Sequence, residues 1–177
     1  MYNLRGINLS SFKLEDANLK GVDLSLANLQ GIKLKNANLE AANLSLINLS
    51  EANLSLANLK NANLSLANLR RSYLRKANLS GANLNSANLN EADLSYANLR
   101  GANLTGSDLI NTILYFTDLR DANLSSCNLS GCVLKNANLN NTIMKNAIYR
   151  DSLELSEKMK IYLKQRGVIF FVDGDID

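Results

Sequence analysis

The chain has 177 residues and no histidine. General-base chemistry through an imidazole, and the nucleophilic pairs built on it, are therefore excluded. Two cysteines remain as nucleophile candidates, Cys127 and Cys132, and neither has a base or a cation beside it in sequence. A reactive thiol needs an electropositive, part-exposed setting. A metal site would need clustered carboxylates or thiolates. Asp16, Asp23, Glu40, Glu51, Glu91 and Asp93 are instead scattered along the chain, and no glycine-rich phosphate loop occurs. Asn-Leu-Ser triplets such as Asn43-Leu44-Ser45 match the N-glycosylation pattern, but here they are a by-product of a repeat. Arg70, Arg71, Arg75 and Lys76 make a local basic cluster, for which a solvated corner is the plainer reading than a nucleic-acid site. No catalytic residue, cofactor or metal is expected.

What positions every residue is a ladder. From Leu4 to Leu139 every fifth residue is leucine, and Met144 and Tyr149 keep the interval for two more steps. A helix repeats its apolar residues near every ~3.6 positions and a strand every ~2, so a period of five fits neither. The unit must be a short extended stretch plus a corner. Two residues before each Leu stands a small residue, usually Ala, as at Ala17, Ala27, Ala37, Ala52 and Ala77. Spacing of two puts it on the same side as the Leu. The Asn between them, such as Asn18, Asn28 or Asn43, points the other way. The two residues after each Leu, as in Ser80-Gly81 and Arg100-Gly101, suit a wet turn.

The motif Ala-Asn/Asp-Leu-x-x, as in Ala82-Asn83-Leu84-Asn85-Ser86, resembles the pentapeptide-repeat proteins. The resemblance runs from residue 2 to 151 in one register. It implies an all-β solenoid, a right-handed quadrilateral β-helix in which four pentapeptides form one square coil. Residues 1–151 would form the rod and residues 152–177 a C-terminal helix and tail. At twenty residues per coil and a rise of roughly 4.8 Å, the rod has about seven and a half coils and is roughly 36 Å tall. No insertion breaks the register, so no loop is expected to project from it.

The ends depart from the motif. Tyr2, Ile7 and Phe12 occupy the inward small position and are read as a self-made N-terminal cap. Past Leu139 the outward Asn gives way to Ile143 and Ile148. A helix is expected over about 157–166, with Ser156 as its N-cap and Gly167 at C′. Leu155, Met159, Tyr162 and Leu163 fall on one face of it and would cap the open coil, followed by a short strand-like run over 168–172. Cys127 and Cys132 stand at the inward small position, so they read as buried free thiols in a reducing, cytoplasmic setting. The start enters the repeat at once, with no stretch that reads as a signal peptide. No apolar run reaches membrane-spanning length.

Three functions compete: a non-catalytic scaffold for a protein partner, a DNA mimic, and a structural spacer. The family includes mimics that bind DNA gyrase and give quinolone resistance, resembling DNA by strong negative charge. Residues 1–151 hold fifteen Lys or Arg against eleven Asp or Glu, a net of +4, which disfavours mimicry. Outward apolar residues are the better clue. Leu26, Leu46 and Leu66 are spaced by twenty and should stack in one column. Tyr73, Tyr96, Ile113, Tyr115, Phe116 and Val133 should gather on the opposite wall, and exposed aromatics in such numbers usually meet something. The expected partner is a protein of unknown identity, with a homodimer through the aromatic wall as the first version. The rival is cover from within the chain, by Met159, Tyr162 and Phe170.

Overall fold

The computed structural model describes residues 4–10, 12–150 and 155–171. Tyr2, one of the expected N-terminal capping residues, lies outside them. Parallel one-residue bridges join each outward position to the residue twenty further on, from Asn8↔Asn28 through Asn68↔Asn88 to Asn128↔Ile148. One turn of the solenoid is therefore twenty residues. Three backbone hydrogen bonds fasten each side to the next coil. Leu24 N–H donates to the Asn43 carbonyl at 2.9 Å, Leu26 N–H to that of Ser45 at 3.0 Å, and Asn43 N–H to that of Val22 at 2.9 Å.

The corners explain why no side grows into a longer strand. Ala27 N–H donates back to the Leu24 carbonyl at 3.1 Å, closing the four-residue turn Leu24-Ser25-Leu26-Ala27. Its third residue, Leu26, has φ +62°, which marks a type II turn. The same left-handed corner recurs five residues on at Gly31 (φ +65°) and again at Asn36 (φ +60°). Corners every five residues in a twenty-residue turn make four sides. Glycine and Asn adopt this conformation at little cost, whereas other residues lose about 1–2 kcal/mol there.

The core is a column rather than a ball. Every ladder Leu from Leu24 to Leu139 is buried, and the small position packs beside it. Where that position is polar, the group is satisfied inside the lumen. The hydroxyls of Ser107, Thr112 and Thr117 donate to the carbonyls of Leu84, Leu89 and Leu94 in the coil below, at 2.7–2.9 Å. The Cys127 and Cys132 thiols do the same to Leu104 and Leu109. A buried donor without a partner would be costly, and among the described residues no buried side-chain polar atom lacks one.

The two ends differ. At the N-terminal end Ile7 packs on the core, whereas Phe12 is 56% exposed. At the other end β1 (Ile148–Arg150) leads to α1 (Glu157–Lys164) and β2 (Ile169–Phe171). The Ser156 side chain accepts from Met159 N–H and caps α1. Val168 N–H donates to Leu163 and Gly167 N–H to Lys164, a Schellman pair that places Gly167 (φ +83°) at C′. β2 then pairs parallel with β1 in the register Ile148↔Ile169, one residue longer than a regular coil. Leu163 is buried, while Leu155, Met159 and Tyr162 pack on the core more loosely. The Tyr162 hydroxyl donates to the Leu139 carbonyl at 2.9 Å, and the Phe170 ring stacks on Tyr149 at 5.7 Å. This tail closes the coil end. Among the described residues it reaches the aromatic wall only beside Val133, and Tyr73, Tyr96, Ile113 and Phe116 stay exposed.

Candidate protein-contact wall

The four sides share one interior but not one exterior. On three of them the outward position is mostly Asn, and the amides hydrogen-bond from coil to coil. Nδ2 of Asn38, Asn58, Asn78 and Asn98 each donates to the Oδ1 of the residue twenty before it, at 3.3–3.4 Å. A second ladder runs from Asp23 through Asn43 and Asn63 to Asn83, and a third joins Asn28, Asn48 and Asn68. Each Oδ1 also accepts the N–H two residues on, as from Ser80 to Asn78 at 3.2 Å. These sides are therefore polar, internally satisfied and offer little unspent bonding.

The fourth side reads Lys13, Lys33, Asn53, Tyr73, Asp93, Ile113, Val133. No two successive residues there can form an amide ladder. Tyr73 and Ile113 are exposed, and Val133 is half-buried. The corner that follows this side adds Tyr96 and Phe116, whose rings stack at 5.4 Å with planes 5° apart. Tyr115 packs edge-on against both, at 5.8 and 4.5 Å. Tyr73, Tyr96, Ile113, Tyr115, Phe116 and Val133 thus share one wall and corner. Sequence reasoning missed Leu56, 48% exposed, which stands forty residues before Tyr96 in the same corner column. Counting back by twenty from Tyr96 would have found it. Leu26, Leu46 and Leu66 form their own exposed column half a coil away, on the opposite corner.

Tyr96 and Phe116 sit at φ +61° and +53°, and Leu26, Leu46, Leu56 and Leu66 at +58° to +63°. These residues are exposed, and they also occupy a backbone conformation that disfavours them. Fold stability accounts for neither property.

Charge is arranged differently on the two kinds of side. The basic cluster splits between adjacent corners. Arg70 and Arg71 both grip Glu91, each at 2.7 Å, and their hydrogen bonds hold its carboxyl below the usual range. Arg75 lies on the aromatic side, pairs with Asp93 at 3.1 Å and covers the Tyr96 ring at 5.8 Å. Partial burial works to raise Asp93, but hydrogen bonds from Ser95 and Arg75 outweigh it and leave the carboxyl lowered. Among the described residues, Lys33, Lys35 and Lys76 on this same side make no ion pair. Below the aromatic residues Lys13, Lys33, Lys35 and Lys76 outnumber Glu15 and Asp16, so this part of the wall carries a net positive charge. Burial pushes the thiols of Cys127 and Cys132 up to about 12, so neither is poised as a nucleophile. Among the described residues, no three Cys, Asp or Glu side chains gather as a metal site. No helix there is long and apolar enough to cross a membrane.

The family profile for pentapeptide repeats matches eight copies, over residues 3–40, 32–71, 52–90, 87–125 and 117–148. The chain belongs to the pentapeptide repeat family. Among solved structures it is similar to HetL, a pentapeptide repeat protein involved in heterocyst differentiation regulation in the cyanobacterium Nostoc sp. strain PCC 7120. Identity is 30% over 81% of this chain and 89% of that one, with a TM-score of 0.33. It is also similar to alr5209, a pentapeptide repeat protein from the same Nostoc strain, at 34% identity over 59% of this chain and 84% of that one, with a TM-score of 0.52. A form of QnrB1, a plasmid-mediated fluoroquinolone resistance protein, is 19% identical over 94% of this chain and 89% of that one, TM-score 0.50, a likeness of fold alone. No curated protein sequence matches the chain.

Proposed function

We propose that this pentapeptide repeat protein is a non-catalytic scaffold that binds a protein partner through its fourth side and the corner beside it. The observation that carries this reading is the replacement of the outward Asn ladder, over successive coils of that side, by Tyr73, Ile113 and Val133 beside the packed Tyr96, Tyr115 and Phe116, whereas the ladder sides lose their Asn or Asp only in the last coil, at Ile143 and Ile148. Aromatic rings locked against each other offer large contact area at small entropy cost. The tail supports it, because α1 and β2 are spent on the coil end and leave Tyr73, Tyr96, Ile113 and Phe116 between 39% and 54% exposed. We take the rod as right-handed, with about seven and a half coils, in a cytoplasmic setting.

DNA mimicry fits less well, because a rod of net +4 does not imitate a polyanion. A spacer would need no apolar residues in strained, exposed corners. Self-association through the fourth side is one form of the proposal. The test uses two double variants, Tyr96→Glu with Phe116→Glu, and Asn63→Glu with Asn83→Glu on a ladder side. Sedimentation velocity measures self-association, and quantitative pull-down from the native cell measures other partners. The first variant should lose the assembly or the co-purifying protein, with melting little changed, and the second should retain it. Equal loss or equal retention by both variants would refute the assignment of this side.

A further inference from the structure

Resting on that reading, we infer that the partner is a protein segment in which an acidic run and an apolar anchor follow one another along the rod axis. The fourth side is divided along its length. Its lower part carries Lys33, Lys35 and Lys76, none ion-paired among the described residues, around Asn53 and Ser55. Its upper part carries the packed rings of Tyr96, Tyr115 and Phe116. Arg75 stands at the seam, with its guanidinium shared between Asp93 and the Tyr96 ring.

A ligand that covers only the rings leaves the net positive charge of the lower part unanswered, since Lys13, Lys33, Lys35 and Lys76 outnumber Glu15 and Asp16 there. Carboxylates at that level would neutralise it and give the contact its direction. Coils rise by roughly 4.8 Å, so Lys33 and Phe116, four coils apart, are separated by about 19 Å. An extended chain covers about 3.3–3.6 Å per residue, so acid and anchor stand about five or six residues apart.

Nucleic acid fits less well. Its charge repeats along the whole strand, whereas among the described residues of the coils above Arg75 this side has only Lys135. Bases seek open ring faces, but Tyr96 and Phe116 are turned on each other and Tyr115 closes their edge. Parallel pairing with a second copy of this chain fits less well too, since it would set Lys33, Lys35 and Lys76 against their own mates.

The test is selection of a displayed library of random 16-residue peptides on the intact chain. The best binder is then titrated by fluorescence anisotropy against two variants. One reverses the lower part, Lys33→Glu with Lys35→Glu and Lys76→Glu; the other is Tyr96→Glu with Phe116→Glu. The enriched peptides should carry Asp or Glu about five or six residues from a Leu, Phe or Trp. Reversing the lysines should weaken binding tenfold or more, binding should fall steeply with salt, and the aromatic variant should abolish it. Peptides without acidic residues, bound through the aromatics but indifferent to the lysine reversal, would overturn the acidic partner and leave the protein-contact side standing. No enrichment, or binding indifferent to both variants, would overturn both. Displacement of the peptide by single-stranded DNA or by phosphatidylserine vesicles at lower concentration would show that the partner class is wrong. Circular dichroism of each variant separates these results from loss of the fold.

Discussion

The three Asn-ladder sides and the fourth side enclose the same column of leucines, and they differ only outside it. Leu84 lies behind a ladder and Leu94 behind the fourth side, and both are fully buried. Outside, Asn83 donates to Asn63 and accepts from Asn85 N–H, so its bonding is used within the rod. Ile113, at the equivalent outward position, makes no such bond and is 39% exposed. The fold therefore needs the ladder residues for local satisfaction but does not need the aromatic ones. In a repeat protein each coil must satisfy the same interior rule, so a function that departs from the rule has only the outside on which to be written.

The largest effect should not distinguish the sides at all. Leu84→Lys and Leu94→Lys each bury an unpaired charge, at a cost of several kcal/mol. Thermal melting of the two variants should show a similar collapse, and a large difference between them would break the claim of a shared interior. Next, Asn83→Ala should destabilise by about 1 kcal/mol through lost hydrogen bonds, whereas Ile113→Ala should stay within about 0.5 kcal/mol. Urea unfolding of both sharpens the contrast, and the reverse order would contradict it. A smaller effect of opposite sign is expected at the corners. Tyr96→Asn and Leu46→Asn relieve an unfavourable left-handed backbone and should stabilise by up to about 1 kcal/mol. A drop in melting temperature for both would mean that these side chains serve the fold after all.

Acid should act on charge pairs rather than on the column. Hydrogen bonds from Ser25 lower Asp23, and those from Arg120 lower Asp118. Glu91 and Asp93 are depressed as well. A carboxylate lowered on folding contributes stability above its unfolded value and loses it as pH falls through the folded one. With no histidine in the chain, melting temperature should stay nearly flat from about pH 8 to 5 and decline below about pH 4. A transition near pH 6.5 would contradict this.

The register of the fold was readable from residues because one rule repeats. Leu at every fifth place and a small residue two before it left a single consistent inside, and the n+20 stacking followed once four pentapeptides were taken per coil. The aromatic wall was readable for the same reason, as the places where polar residues were due and absent. What escaped was set by neighbours rather than by type. Phe12 looks like a plug in sequence, yet its side chain is 56% exposed. Leu56 stands alone in its own pentapeptide and acquires company only through stacking. Arg70, Arg71, Arg75 and Lys76 look like one basic patch in sequence, yet they stand at two adjacent corners and Glu91 and Asp93 occupy most of them. The strain at Tyr96 and Leu46 belongs to the left-handed corner, which becomes visible only in the backbone angles.

The central claim is that the fourth side makes the contact and the ladder sides do not. The direct measurement is site-specific photo-crosslinking in the native cell, with a photoreactive residue at position 113 on the fourth side or at position 83 on a ladder. The account predicts a discrete cross-linked species from position 113 and none from position 83. Adducts of equal yield from both positions, or from position 83 alone, would contradict it.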